Sequence, residues 1–333
     1  AGYFGGGETP GPSVYSTVEK LTYVSSTITS VPGAFLITAR TDSSASTAMT
    51  NSLSLTPTPD VFDVGYFGGG ASPTQVSTVD KLTYSTDTRS GSIPLGVSVY
   101  GLAATSSYSS GYFGGGFSGG PLYSTMNKVS YSTDTTSIVS SASLSSPRLG
   151  LAATGTVTEG YFAGGTPGAY STMDKLTYST DTTTSAPGSN LTVPRRYISA
   201  TGNSTVGYFG GGDISPGPSS AVEKLTYSTG SITALPTTGS LSVPRNSVGA
   251  TGNSTVGYFG GGLGPAAAFY STVDKITYSN DLRSTLPSTG SLSGTRYELA
   301  ATGSSTAGYF GGGYNPAAFY STVDKITYSN DLR

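Results

Sequence analysis

The side chains of this chain that are best able to take part in chemistry are its lysines and the acids beside them. The chain has 16 basic and 18 acidic residues among 333. Every lysine lies in a recurring segment such as STVDKLTYS, and each except Lys128, which follows Asn127, is preceded directly by an acid. Adjacent residues of a strand point to opposite faces, so we predict that a lysine pairs with the acid of the next repeat rather than with its neighbour. A charged channel for a ligand or metal is the alternative.

The predicted inter-repeat ion pairs involve thirteen residues of these segments. They are Glu19, Lys20, Asp80, Lys81, Lys128, Asp174, Lys175, Glu223, Lys224, Asp274, Lys275, Asp324 and Lys325.

The residue types that are absent exclude several kinds of chemistry. The chain contains no Cys, His or Trp. It therefore has no disulfide, no thiolate or imidazole metal site and no imidazole base for a Ser-His-Asp triad. The nearly balanced charge offers no basic surface for nucleic acid. Two acids suffice for glycoside hydrolysis, but the acids here belong mostly to the repeated segment. We expect no catalytic residue, metal or cofactor.

A glycine-rich motif repeats seven times. GYFGGG or a near copy begins at Gly2, Gly65, Gly111, Gly160, Gly207, Gly257 and Gly308. The copies lack the Lys-Ser/Thr pair and the following helix of a phosphate-binding loop, so the motif predicts architecture. Its Tyr and Phe point to opposite faces of one strand, and we expect both to fill the space between repeats.

Each repeat of about 50 residues predicts four short strands. The Tyr-Phe segment and the lysine segment are the clearest strands. A weaker strand ends near Pro in TALP and STLP, and another follows Arg148, Arg195, Arg245 or Arg296. The ATG and GNS stretches are predicted to be turns. No helical periodicity competes.

Seven repeats of four short strands predict an all-β, seven-bladed β-propeller. It forms one domain, residues 1–333, with about four antiparallel strands per blade. A solenoid or linear array of small β modules is the rival. The chain begins at the second strand of blade one and stops after the third strand of blade seven. The terminal blades are therefore incomplete, the mature chain is longer, or a neighbouring subunit donates a strand.

The order of these signals resembles the kelch repeat. That family has an Arg before its first strand, a Gly doublet after its second and a hydrophobic-acidic-hydrophobic-Tyr third strand. The matching residues are Arg245, Gly260–Gly262 and Val273–Tyr278, while the kelch Trp is absent. Repeats with the motifs GYFGGG, STVDKITYSND and AATG are also similar to repeats of tail-fibre-like structural proteins of cyanobacterial viruses. The resemblance implies a component of a virion.

The loop after each Gly triplet differs between repeats, whereas the segment before GYFGGG is nearly constant. We expect these loops to share one face of a propeller and to carry any binding site. Aromatic loop residues stack on sugar rings and anchor protein interfaces. The predicted contacts are Phe117, Asp213, Phe269, Tyr314 and Phe319.

We therefore expect a non-enzymatic structural and binding module of a virion tail or fibre. Its partners would be other virion or surface structural proteins, or cell-surface glycans. No apolar run approaches the roughly 18 residues of a membrane span, so we expect no membrane insertion. The alternative is a secreted, lectin-like adhesin that binds surface carbohydrate. The predicted location is the virion or the extracellular space.

Overall fold

The fold is described from a computed structural model of the chain. The structure describes residues 1–7, 13–23, 25, 27–30, 36, 44–47, 64–72, 74–83, 86 and 88–333. Some predicted segments lie partly outside the described residues. These are the loop after the first Gly triplet, one position of the loop after the second, and the last positions of the first two lysine segments.

The protein is an all-β, seven-bladed β-propeller of small antiparallel sheets. The predicted fold class is confirmed. Contacts divide the chain into two compact units, the first Ala1–Thr50, Ser54–Phe162 and Asp174–Ser185, the second Asn51–Leu53, Ala163–Met173 and Ala186–Arg333. Among the described residues, no helix is long and apolar enough to cross a membrane.

In the residues that the structure describes, the first four blades contain seventeen strands. They are β1 (Gly2–Gly5), β2 (Val18–Thr22), β3 (Thr27–Ser30), β4 (Ser44–Thr47), β5 (Val64–Gly68), β6 (Ala71–Ser72), β7 (Thr74–Gln75), β8 (Thr78–Thr83), β9 (Thr88–Pro94), β10 (Ala103–Ser106), β11 (Ser110–Gly114), β12 (Thr125–Ser130), β13 (Thr135–Ser143), β14 (Ala152–Gly155), β15 (Glu159–Ala163), β16 (Met173–Thr177) and β17 (Thr182–Ser185).

The last three blades contain fifteen strands. They are β18 (Ser199–Gly202), β19 (Val206–Gly210), β20 (Asp213–Ile214), β21 (Gly217–Pro218), β22 (Val222–Thr226), β23 (Ser231–Ala234), β24 (Gly249–Gly252), β25 (Val256–Gly260), β26 (Val273–Thr277), β27 (Leu282–Thr285), β28 (Ala300–Gly303), β29 (Ala307–Gly311), β30 (Tyr314–Asn315), β31 (Ala318–Phe319) and β32 (Val323–Thr327). Short 3₁₀ turns lie at Pro187–Ser189 and Pro265–Ala267.

Each four-stranded blade follows chain order. Blades two to six are β4-β5-β8-β9, β10-β11-β12-β13, β14-β15-β16-β17, β18-β19-β22-β23 and β24-β25-β26-β27. In the described residues blade one is β1-β2-β3, and blade seven is β28-β29-β32 with a bridge from Thr327 to Leu332. These correspond to the second to fourth strands of blade one and the first to third of blade seven, as predicted.

The predicted ATG turns are wrong. In blade five this stretch lies in β18, where Thr201 pairs with Tyr208 and Ala200 with Phe209. In blade six Thr251 pairs with Tyr258 in the same register. A partner strand satisfies the backbone of these small residues, which outweighs their weak local preference for strand.

The Tyr and Phe of the second strand fill the space between neighbouring blades, as predicted. Tyr208 is fully buried and its ring stacks on Tyr278 of the next blade, with centroids 4.8 Å apart. Tyr258 stacks on Tyr328 of blade seven in the same way, at 5.0 Å. Tyr66 on Tyr131 and Tyr112 on Tyr178 repeat the contact in the first unit. The sheets therefore cover one another through a repeated aromatic pair.

The Gly triplet has an architectural cause. A Cβ on Gly260 would lie 2.9 Å from the ring of Phe310, which packs there from the next blade. Gly261 has φ +70°, and a Cβ there would lie 2.7 Å from the carbonyl oxygen of Arg296. The first glycine thus admits a neighbouring ring, and the second allows a left-handed turn against a buried backbone.

Four buried ion pairs among the described residues hold the first and third strands of a blade together. Arg148, just before β14, donates to Asp174 on β16 at 2.6 Å, and both side chains are buried. Arg195 pairs with Glu223, Arg245 with Asp274 and Arg296 with Asp324 in their own blades. Burial lowers the pKa of Arg245, which the carboxylate of Asp274 opposes. The arginine also donates to the carbonyl oxygens of Gly261 and Thr272, so its charge is held in a network.

Blade three contains a neutral version of this pair. Val99, fully buried, lies at the position that Arg148 occupies in the next repeat, and Asn127 replaces the acid. The amide oxygen of Asn127 accepts the Gly96 backbone N–H at 2.8 Å, much as Asp174 accepts that of Ser145. Arginine and acid have been lost together, which is expected if each is costly without the other.

We predict that the pair in blade six behaves as one energetic unit. Arg245→Val leaves Asp274 charged, buried and without its main partner, and the free energy of unfolding should fall by about 3–5 kcal/mol. The double variant Arg245→Val/Asp274→Asn copies blade three, and its loss should be smaller than the sum of the two single losses by about 1–3 kcal/mol. Denaturant unfolding measures both. Arg283→Met, which removes a more exposed cation 3.8 Å from the same acid, is the control with a small loss. Additive losses in the cycle would contradict the coupling.

Candidate functional site

In the described part of the chain, four lysines make ion pairs across neighbouring blades, but with aspartates other than the predicted acids. Lys224 donates to Asp281 at 2.9 Å, and Asp281 lies in the turn after the third strand of the next blade. Lys81 pairs with Asp134, Lys128 with Asp181 and Lys275 with Asp331 in the same way. Lys20 and Lys325 lie over the rings of Tyr3 and Tyr309.

The pairings predicted for Asp174, Glu223, Asp274 and Asp324 are therefore wrong. The pairing predicted for Glu19 stays a prediction. Asp174, Glu223, Asp274 and Asp324 pair with the buried arginines of their own blades, and Asp80 lies 3.7 Å from Arg89 of its own blade. Alternation places acid and lysine on opposite faces, as expected. The face of the acid meets the arginine, and only the face of the lysine meets the next blade.

Each turn aspartate serves two donors. Asp281 accepts the hydroxyl of Tyr208 at 2.5 Å through one oxygen and Lys224 through the other. Asp134, Asp181 and Asp331 repeat this arrangement with the corresponding Tyr and Lys. These charges hold neighbouring blades together.

In blade four, the carboxylate that pairs with the lysine and the tyrosine comes from a different position. The fifth repeat carries Gly230 where the neighbouring repeats have Asp181 and Asp281. Lys175 instead pairs with Glu159 of its own blade at 2.5 Å, and Tyr161 donates to the other oxygen of that carboxylate at 2.9 Å. A carboxylate between lysine and tyrosine is kept even when the turn does not supply it.

Burial raises the pKa of Tyr66, Tyr112, Tyr208 and Tyr258, and the hydrogen bond to the turn aspartate raises it further. Burial also raises the pKa of Tyr278. A phenol that donates to a carboxylate cannot ionise without placing two negative charges side by side. These hydroxyls are structural donors.

We predict that the protein loses stability in alkali because of these tyrosines. In the unfolded chain tyrosine ionises near pH 10, whereas the folded protein retains the proton. The stabilisation is complete below pH about 10 and falls above it, by about 1.4 kcal/mol per pH unit for each such tyrosine. Near-ultraviolet absorbance should show that they ionise only on unfolding. A smooth titration of all tyrosines in the folded protein would contradict this.

We predict that Asp281→Gly removes the side chain of the turn and leaves the turn backbone unchanged. Asp281 has φ 60° and Gly230 has φ 65° at the matching position, so the turn should persist. The buried hydroxyl of Tyr208 then loses its acceptor, and the free energy of unfolding should fall by about 1–3 kcal/mol. Asn280→Gly in the same exposed turn is the control and should cost much less. Equal losses in the two variants would assign the effect to the turn backbone.

Within each unit, the variable loop after the second strand of a blade pairs with the segment before the first strand of the same blade. Tyr297, which follows Arg296, forms a β-bridge with Tyr314 of the loop after β29. Tyr100 pairs with Phe117, Arg196 with Asp213 and Asn246 with Leu263 at the matching positions. The bridged residues change from aromatic to charged to amide, while the backbone geometry repeats. This surface, which we call the loop face, is a constant frame that carries varied side chains.

Three of the predicted contact residues come together in the second unit. Phe269, Tyr297, Tyr314 and Phe319, here called the aromatic group, form a continuous series of rings. The centroids of Phe269 and Tyr297 are 5.4 Å apart, those of Tyr297 and Tyr314 4.4 Å, and those of Tyr314 and Phe319 5.0 Å. All four rings are half-buried.

Asn315 holds the last loop in place. Its side-chain amide donates to the Thr295 carbonyl at 2.7 Å and to the Tyr320 hydroxyl at 3.0 Å. Its side-chain oxygen accepts the backbone N–H groups of Ala317 and Ala318. The hairpin β30–β31 is therefore set before any ligand arrives, which lowers the entropic cost of binding.

The other two predicted contacts have local partners. Phe117 packs edge-on against Tyr100, with centroids 5.6 Å apart, in the first unit. Asp213 accepts the amide of Asn246 at 2.6 Å and lies 3.8 Å from Arg196. Asp213 thus links two neighbouring blades as well as lying on the loop face.

Sequence reasoning did not identify Tyr297 or the turn aspartates as partners. Tyr297 belongs to the segment between Arg and AATG, which looked constant, yet the residue after each arginine is Leu149, Arg196, Asn246 or Tyr297. That single variable position was the available signal. The joint loss of Arg and acid at Val99 and Asn127 was a signal for the buried pair.

A polar cleft lies at the opposite end of blades five and six. It measures about 440 Å³ and is lined by Asn203, Thr205, Val206, Lys224, Ser254, Thr255, Thr277, Tyr278 and Ser279. Asn203 donates to the Ser254 carbonyl and accepts the Thr205 hydroxyl, and Lys224 pairs with Asp281. Its main polar groups are engaged with one another, so the loop face is the better candidate.

In the described part of the chain, no three His, Cys, Asp or Glu side chains are grouped to hold a metal ion. Comparison with protein-family models gave no match, and a search of curated proteins found no significantly similar sequence.

Proposed function

We propose that this protein is a non-enzymatic structural and binding module, a component of a virion tail or fibre whose loop face attaches to a host surface or to another protein. The repeats are kelch-like in this proposal, with Arg245 before the first strand and the Gly triplet after the second. The proposed location is the virion or the extracellular space.

The observation that carries the proposal is a contrast between two regions. Contacts inside and between the blades are repeated, whereas the side chains of the loop face vary. Arginines, acids, lysines and second-strand tyrosines are engaged in repeated contacts inside and between blades. The bridged residues of the loop face, in contrast, differ from blade to blade. A repeated frame with one varied surface suits recognition of an external partner.

The aromatic group favours a site within this surface. Clustered aromatic side chains on preorganised loops provide large contact area with little loss of conformational entropy. The secreted, lectin-like adhesin is the second candidate, and the same rings favour it because they stack on sugars.

We predict that the purified chain binds cells through the loop face. Fluorescently labelled protein should bind some strains of a cyanobacterial panel, and Ala317→Arg, in the loop that carries Phe319, should weaken binding at least about tenfold. Ser305→Arg is the matched control, because Ser305 is exposed in the turn between β28 and β29, at the other end of the blade.

Antibodies against the chain should also label tail or fibre structures of virus particles in electron micrographs. Cell binding without particle labelling would favour the adhesin. Equal effects of the two arginine variants would overturn the assignment of the loop face, and absence of both cell binding and labelling would overturn the proposal.

A further inference from the structure

One position of the loop face adopts left-handed backbone in five blades. It is the second residue after the buried arginine or its Val99 equivalent, with φ 67° at Gly101, 64° at Gly150, 52° at Tyr197, 49° at Ser247 and 54° at Glu298. Such backbone is disfavoured for residues with a Cβ atom. Glycine therefore fits best, as two blades demonstrate, and yet three blades retain a side chain.

These three residues form one continuous row. The backbone N–H of Ser247 donates to the Tyr197 carbonyl at 3.1 Å. The backbone N–H of Glu298 donates in the same way to the Ser247 carbonyl, also at 3.1 Å. In the first unit the same link joins Gly150 to Gly101 at 2.9 Å, without side chains. Tyr197, Ser247 and Glu298, here called the left-handed row, thus add chemical groups where the frame prefers none. Unfavourable backbone retained at a surface points to a function of the side chain.

The left-handed row lies beside the aromatic group. Glu298 directly follows Tyr297, a member of that group. Ser247 follows Asn246, whose bridge partner Leu263 itself bridges Phe269. The row and the rings therefore belong to one surface of blades five to seven.

We propose that this surface binds a neutral hexopyranose unit of a surface polysaccharide, an inference that rests on the proposed function. The aromatic faces suit the apolar C–H face of a pyranose ring, whereas its hydroxyls can donate to the carboxylate of Glu298 and exchange hydrogen bonds with Ser247 and Tyr197. The negative charge of Glu298 disfavours sialylated or uronic sugars, which places neutral sugars first.

The decisive variant is Glu298→Gly. It removes the carboxylate and relieves the left-handed backbone, so the melting temperature should be unchanged or higher. Affinity for a bound neutral oligosaccharide, selected on an array of neutral and acidic glycans, should fall about tenfold in calorimetry. Phe319→Ala should lower the affinity by a similar factor. Stability and binding then move independently, which a purely structural role would not produce.

Asp281→Gly is the matched control. It also replaces an acid at φ 60° by glycine, but at the other end of the blades. It should lower the melting temperature and leave glycan affinity unchanged below that temperature.

Three outcomes would overturn the inference while leaving the proposed function intact. The first is cell binding that survives periodate oxidation of surface glycans, which indicates a protein partner. The second is preference for acidic glycans, and the third is unaltered affinity of Glu298→Gly. If the chain binds no cell and labels no particle, the proposed function itself fails.

Discussion

The contact between the second strand of one blade and the third strand of the next is the interaction on which this structure depends. A single small sheet cannot bury both of its faces, so neighbouring sheets must cover them. Tyr208 shows how this is achieved: its ring stacks on Tyr278, and its hydroxyl donates to Asp281 in the turn that follows. Apolar area and one charge-assisted hydrogen bond lie in the same side chain, which fixes distance and orientation together.

This constraint explains why a chain with few charges places most of them inside or between blades. The arginine–acid pairs join the first and third strands within a blade, and the lysine–aspartate pairs join neighbouring blades. A buried pair is expensive unless complete, which is why Val99 and Asn127 change together in blade three and why Glu159 supplies blade four with a carboxylate. Recognition is left to loop residues, where aromatic and amide groups can vary without disturbing the frame.

The strands, their count and the propeller were predictable because the repeat is long enough to contain four of them and because GYFGGG and the lysine segment alternate clearly. The first strand was partly missed, since ATG is rich in small residues and becomes a strand only through its pairing with GYF. Phe269, Tyr314 and Phe319 were identified as loop aromatics, but their assembly with Tyr297 depends on a bridge between segments 17 residues apart in number, Tyr297 and Tyr314.

Sequence alone determined the repeat, the strand pattern and the chemical classes that are excluded, because composition and periodicity are local properties of the chain. It also established that acid and lysine face opposite ways on one strand. Only the tertiary structure decided which partner each of them meets. Asp274 finds Arg245 and Lys275 finds Asp331 because the packing of strands and blades places those groups opposite one another, and no rule of spacing within a repeat encodes that choice.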